Sequence, residues 1–345
     1  MKTNETKLQS ILDNLIDNKK VFGTSFAIKK GDFIWSGTAG NFEQNQAFFI
    51  ASTTKLFTTA LIFKFLFEGK LKLEDKISSY LNPEVIQNLH IFKGVDYSKQ
   101  LTIKHLLAHT SGLPDYYQNK GKNGKSLEDE LINGNDQFWT FEQSIERSKA
   151  MEPLFAPGTK GKAHYSDANY QLLGKIIETI SEKTYAENCL EFIIQALDLK
   201  NTYLYHDASD TIPKTLYYKD KPLPIQKAMT SFGADGGIVS TCEDMLKFIE
   251  AFMTGVLFPV IYISEIQVWN SIFFPMQAGI GIHLFKLPWY FNPFGTVPYF
   301  IGHSGLSGAL AYYCPKKELY IVGTVNQVAY NDLSFRTMIK IALAV

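Results

Sequence analysis

Ser52-Thr53-Thr54-Lys55 opens a run, Leu56-Phe57-Thr58-Thr59-Ala60-Leu61-Ile62-Phe63-Lys64-Phe65-Leu66-Phe67, that closes on Glu68-Gly69. Leu56, Phe57, Leu61, Ile62, Phe65 and Leu66 recur at helical spacing and make a broad apolar face. The stretch therefore predicts a buried helix from about residue 52 to 67, stopped by Gly69. Working outward, strand signals lie toward both ends of the chain. Residues 23–29 and 33–39, joined by Lys30-Gly31-Asp32, read as a hairpin, and so do residues 310–314 and 319–326 around the turn at Pro315. A first helix is marked by Leu8, Ile11, Leu12, Leu15 and Ile16, and a last helix follows the second hairpin. Between about residues 75 and 225 the pattern is mainly helical with polar loops, residues 119–126 reading as an exposed excursion. Residues 236–240 read as a short strand into a helix, with Thr241 as N-cap and Asp244 three residues on. Strands at both ends with helices between them predict an α+β fold: an antiparallel sheet flanked by helices, plus a mainly helical insertion.

With 345 residues, the chain is long enough for about two domains. Thirty-four basic and 34 acidic residues cancel, which argues against a nucleic-acid partner. Arg147 and Arg336 are the only arginines, so a site built on guanidinium clamps is not expected. Cys189, Cys242 and Cys314 have neither a metal-like spacing nor an even count, which excludes a disulfide scaffold or a zinc protein. The first residues lack the apolar core of a secretory signal, and charge-poor stretches near residues 266–285 and 287–315 are broken by Pro275, Pro288, Pro293 and Pro298. The expectation is a soluble, cytoplasmic protein with no integral membrane segment; its oligomeric state is left open.

Three segments carry candidate chemistry. In Ser52-x-x-Lys55 the two side chains share a helix face and come within reach of one another. A lysine in a first turn faces the positive end of the helix dipole, and the helix behind it is apolar. Both terms disfavour the ammonium, as a base for an adjacent hydroxyl requires. The second segment, His164-Tyr165-Ser166-Asp167, sits at a loop-to-helix corner, where Tyr165 could relay protons if a cation lowered its pKa; the alternative is an aromatic staple with Asp167 as cap. The third, Gly302-His303-Ser304-Gly305-Leu306, enters the last hairpin, its glycines allowing a ligand close to the backbone. His105 and His109 have a metal-like spacing, but the Glu of His-Glu-x-x-His is absent, so a structural pair is expected. Gly124-Lys125-Ser126 resembles the end of a P-loop without its first glycine, and no Gly-x-Ser-x-Gly elbow occurs.

Together, Ser52-x-x-Lys55, Tyr165-Ser166-Asp167 and His303-Ser304-Gly305 resemble the three motifs of the penicillin-recognising serine hydrolases. The closest branch is the class C β-lactamase-like one, which also holds DD-peptidases, D-aminopeptidases and family VIII carboxylesterases. Residues 106–114, 155–158 and 236–241 match the same pattern, so the resemblance covers nearly the whole chain. It implies a β-lactamase/transpeptidase-like fold, with a sheet domain from residues 1–75 and 226–345, a mainly helical domain from 76–225, and the site in the cleft between them. It further implies Ser52 as the nucleophile forming an acyl-enzyme, with Lys55 and Tyr165 sharing proton transfer. Asp167, His303, Ser304, Gly305 and Leu306 would bind substrate, with the N–H groups of Ser52 and Leu306 as the oxyanion hole. No metal or organic cofactor is implied, and the partner is a small ester, amide or peptide.

Two departures shape the expected activity. Asp167 stands where the family usually has Asn, so its charge would hold the Lys55 proton and oppose Lys55 as a neutral base. His303 replaces the lysine common in β-lactamases and, largely neutral at pH 7, would anchor a substrate carboxylate weakly. Esters and D-amino-acid peptides are therefore favoured over efficient β-lactam hydrolysis. The rival readings are a catalytically weak penicillin-binding or assembly protein on the same fold and a helical metalloprotein using His105 and His109. Residues 287–301, rich in aromatics and proline, are expected to form a loop, either an apolar wall of the cleft or a plug in the seam between the domains.

Overall fold

The computed structural model describes residues 2–121 and 124–345; of the expected excursion at 119–126, Lys122 and Asn123 lie outside the described residues. An eight-stranded antiparallel sheet is built from both ends of the chain. Its strands are β1 (Gly23–Lys30), β2 (Phe33–Gly40), β3 (Asn270–Phe273), β4 (Met276–Ala278), β5 (His283–Phe285), β6 (Phe300–Ser304), β7 (Ala309–Cys314) and β8 (Leu319–Thr324). The spatial order β3-β4-β5-β6-β7-β8-β1-β2 joins the two expected hairpins where β1 pairs with β8, Ala27 opposite Val322. The short strands β3 to β5 were not expected. Each is three or four residues long, too short for its alternation to stand out from the surrounding apolar sequence.

Period-two alternation divides the sheet between two cores. Phe26, Ile28, Leu310, Tyr312 and Ile321 pack with Leu8 and Leu12 of α1 (Lys2–Asp13) and with the C-terminal helix (Asp332–Ala344). Ala27, Ala309, Ala311 and Val322 belong to the opposite core, together with α2 (Lys55–Phe67) and the helix Cys242–Thr254. The alanines leave room for the large rings behind them, where Phe57 and Phe248 stack with centroids 3.8 Å apart. Thr241 caps its helix as expected, accepting from the Asp244 N–H. Ten of the thirteen α2 residues are buried, which makes α2 the central helix of the molecule. Among the described residues, no helix is long and apolar enough to cross a membrane.

The helix expected from residue 52 begins differently. Residues 51–54 form a 3-10 turn and α2 starts at Lys55, so Ser52 is not a side-chain cap. Ala51, just before it, has φ +47°, a conformation non-glycine residues seldom adopt and one that concentrates at functional turns. Tertiary contacts impose it: Phe48 and Phe49 pair with Ile238–Ser240, Ile50 N–H donates to Ile238 O, and Ser307 Oγ donates to Phe49 O.

Candidate active site

Lys55 is fully buried at the head of α2, yet its ammonium geometry is complete. Nζ lies 2.5 Å from Asp167 Oδ1, 2.6 Å from Asp235 O and 3.2 Å from Ser52 Oγ, so three donors meet three acceptors. This corrects the expectation that an apolar setting would disfavour the charge: the sequence hides the counter-ion, 112 positions away. Asp167 is the first residue of the helix Asp167–Ser181, where the dipole favours a carboxylate, and Ser166 precedes it as N-cap. The helix ends of Lys55 and Asp167 thus face each other, one disfavouring its charge and the other favouring it.

Tyr165 faces Ser52 across the cavity wall and holds its ring centroid 5.0 Å from Lys55 Nζ. Burial, and next the Asp167 charge, push its phenol well above the usual range, so the cation does not produce a ready tyrosinate. His109 orients this corner. It adopts φ +55°, its Nδ1 accepts from the Ser166 N–H and faces Asn169 Nδ2, and its ring stacks on Tyr165 at 4.6 Å. His105 does something else, completing a capping box with Thr102. The two histidines serve separate partners, and among the described residues no group of three or more His, Cys, Asp or Glu is arranged to hold a metal ion.

Strand β6 brings up the third segment. A Cβ on Gly305 would lie 2.4 Å from Ile50 O and 2.9 Å from Ala51 Cβ, so only glycine lets the strand end lie against the Ser52 turn. Neither the Ser52 nor the Leu306 backbone N–H donates to a protein acceptor among the described residues. Both are free for a ligand oxygen.

Ser52, Tyr165, Asp167, Ser304, Gly305 and Leu306 line one cavity of about 360 Å³. His303 does not. It is 1% exposed behind the surface, its ring stacked at 3.9 Å on His283, and it is His283 that reaches the cavity. His283 pairs with Gly302, next to His303, at the edge of the cavity. Burial, then the charges of its neighbours, hold His303 well below its usual range, and burial drives His283 to about 3. Both rings are therefore neutral at pH 7. No sequence signal marked His283.

Two further carboxylates were missed. Asp115 is 1% exposed and accepts from the N–H groups of Tyr117, Gln118 and Asp167; burial and the Asp167 charge push it to about 8. Asp235 accepts from Tyr116 OH, Gln171 Nε2 and Gly233 N, and the same causes push it to about 6. The aromatic loop neither walls the cleft nor plugs a seam. Trp289 is 79% and Phe294 90% exposed, and the cavity's apolar wall comes instead from Tyr117, Leu131, Leu223, Met229, Phe232 and Phe273.

An antiparallel sheet flanked by helices, with a Ser-x-x-Lys turn at the head of a buried helix, defines the β-lactamase/transpeptidase class of fold. The Beta-lactamase family model matches residues 8–345, and the chain belongs to that family. Protein flp of Staphylococcus aureus is 31% identical over 153 residues, covering 44% of this chain and 27% of that protein. The D-alanyl-D-alanine-carboxypeptidase/endopeptidase AmpH of Escherichia coli is 27% identical over 206 residues, 59% of this chain and 48% of AmpH. The chain thus spans at most about half the length of these two relatives. Among solved structures, a D-stereospecific amidohydrolase from Streptomyces superposes with TM-score 0.79 at 23% identity, covering 99% of this chain and 98% of that one.

Proposed function

We propose that the chain hydrolyses an ester or amide through an acyl-Ser52 intermediate. The observation that carries this is Ser52 Oγ at the cavity wall, 3.2 Å from Lys55 Nζ and in the same cavity as Tyr165, beside two unused backbone N–H donors. Ser52 Oγ attacks the substrate carbonyl, whose oxygen is received by the N–H groups of Ser52 and Leu306. Lys55, in the molecules where it is neutral, takes the hydroxyl proton. Tyr165, held protonated, hands its own proton to the leaving group and recovers one from Lys55. Water then attacks the acyl carbon and releases the acid and Ser52.

The cleft supports a division into a sheet domain (1–75 and 226–345) and a helical domain (76–225). Ser52, His283 and Ser304 line it from the first, and Tyr117, Tyr165 and Asp167 from the second. Among the described residues, the cavity lining has no lysine or arginine, which favours esters and amides over β-lactams and peptides that present a carboxylate. The relatives' names include a carboxypeptidase, an amidohydrolase and the hydrolase EstCE1, in keeping with acyl transfer to serine. A panel of p-nitrophenyl esters, nitrocefin and D-Ala-D-Ala peptides tests the reading. Ester turnover that Ser52→Ala lowers at least a thousandfold supports it, and activity within tenfold of wild type in that variant refutes it.

A further inference from the structure

We propose that one end of the large sheet docks on an anionic lipid surface, with the aromatic loop between β5 and β6 as its anchor. Antiparallel pairing gathers three turns at that end. Met276 pairs with Phe285, Phe285 with Phe300, and Ile301 with Tyr313. The β3–β4 turn, residues 286–299 and the turn Pro315–Lys317 therefore leave the sheet side by side. Phe274, Trp289, Tyr290, Phe291 and Phe294 on these turns are each more than half exposed. Phe274 from one turn meets Phe291 from the next, ring centroids 5.5 Å apart, and Tyr290 lies against both Trp289 and Phe291. Single apolar side chains on a surface are ordinary, whereas a contiguous aromatic patch marks an interaction site. The loop is built to hold its rings outward. Leu287 and Val297 pack on the core and Pro298 is buried. Asn292 closes the turn between them, donating from Nδ2 to Val297 O at 2.7 Å and accepting from the Val297 N–H at 3.1 Å.

Charge decides what the patch meets. From Ile266 to Lys317 the chain carries Lys286, Lys316 and Lys317 and no acidic residue, in a protein whose formal charge is zero. Lys286 and Lys316 are exposed at this end of the sheet, Lys317 is turned back to Ala342 O, and Glu318 is the acid next in sequence. A second copy meeting the patch across a two-fold axis would set these cations against their own copies. Anionic lipid headgroups match them instead, and Trp and Tyr rings are the side chains that settle at headgroup depth. The patch is also continuous with the cleft. Phe273, beside Phe274, lines the cavity and packs edge-on to Tyr165 with centroids 6.3 Å apart. Docking in this way sets the aromatic rim of the cavity at the lipid boundary.

Co-sedimentation of the full chain with vesicles tests this, and no arm of the test depends on turnover or on the acyl-Ser52 reading. Vesicles of phosphatidylcholine with one-third phosphatidylglycerol should bind wild type at least tenfold more tightly than Trp289→Ser/Phe294→Ser, whose replaced rings are too exposed to support the fold. Lys286→Gln with Lys316→Gln should weaken binding to these vesicles at least threefold and leave the weaker binding to pure phosphatidylcholine unchanged. Of the four tryptophans, Trp289 alone is exposed. Vesicles should therefore move the emission maximum to shorter wavelength, and Trp289→Phe should lose that shift while still binding. Wild type that sediments with neither vesicle overturns the proposal, as does binding that the Trp289→Ser/Phe294→Ser variant retains. A dimer in sedimentation velocity that this variant dissolves also overturns it, because a second copy then covers the patch.

Discussion

Replacing Asp167 by Asn removes one charge and almost no volume, and the structure sets the size of the effect. At 2.5 Å and an effective dielectric near 20, the pair's attraction is about 7 kcal/mol before desolvation is subtracted. Breaking a buried pair by deleting one partner costs about 3–5 kcal/mol. The asparagine oxygen can still accept from Lys55, so the lower end, about 3 kcal/mol, applies. Asp167 stabilises the charged form of Lys55, so its removal should move the acidic limb of kcat/KM to lower pH. The variant should therefore gain relative activity on the acid side of the wild-type profile. The assay is kcat/KM for p-nitrophenyl butyrate across pH 5–9, run beside denaturant unfolding to verify the fold. An acidic limb within 0.3 pH units of wild type would mean that Asp167 does not govern the base, and the electrostatic account of this site would fall.

Gly305→Ala should force β6 and the Ser52 turn apart by several tenths of an ångström, because its Cβ meets backbone at Ile50. We expect a loss of about 1–3 kcal/mol of stability and, from misplacement of the nucleophile, about a hundredfold lower kcat; a kcat within threefold of wild type would contradict this. Asp115, pushed to about 8, keeps a proton in the folded state that the unfolded chain releases near 4. Its contribution to stability is therefore present below about pH 4 and is lost as pH rises toward 8. Unfolding free energies of Asp115→Asn and wild type should diverge over that window in the variant's favour, and parallel curves would refute it. Acyl chain length should raise kcat/KM up to about fourfold per methylene from acetyl to butyryl esters, following about 0.8 kcal/mol per CH₂. Trp289→Ala should leave that profile unchanged, since Trp289 lies outside the cavity, whereas Phe232→Ala should flatten it. An effect of Trp289→Ala on the profile would place the aromatic loop in the cleft after all.

Local chemistry was enough to place the hairpin turns, the apolar helix after Ser52, the Thr241 cap and the order of the three motif segments. Each of these depends on residues within about ten positions of one another, where periodicity and turn chemistry act directly. What the tertiary structure decided is everything that depends on partners far apart in the chain. Lys55 looked like a lysine stranded in an apolar helix until the Asp167 carboxylate and the Asp235 carbonyl came to it from 112 and 180 positions away. His303 looked like a pocket residue until the pairing of β5 with β6 brought His283 beside it, and it is His283 that lines the cavity while the His303 ring stacks behind. Asp115 carried no motif, and only burial beside a second carboxylate gives it an unusual proton affinity. Charge state in a protein interior is set by what surrounds a group in three dimensions, and a one-dimensional pattern carries the group without its surroundings.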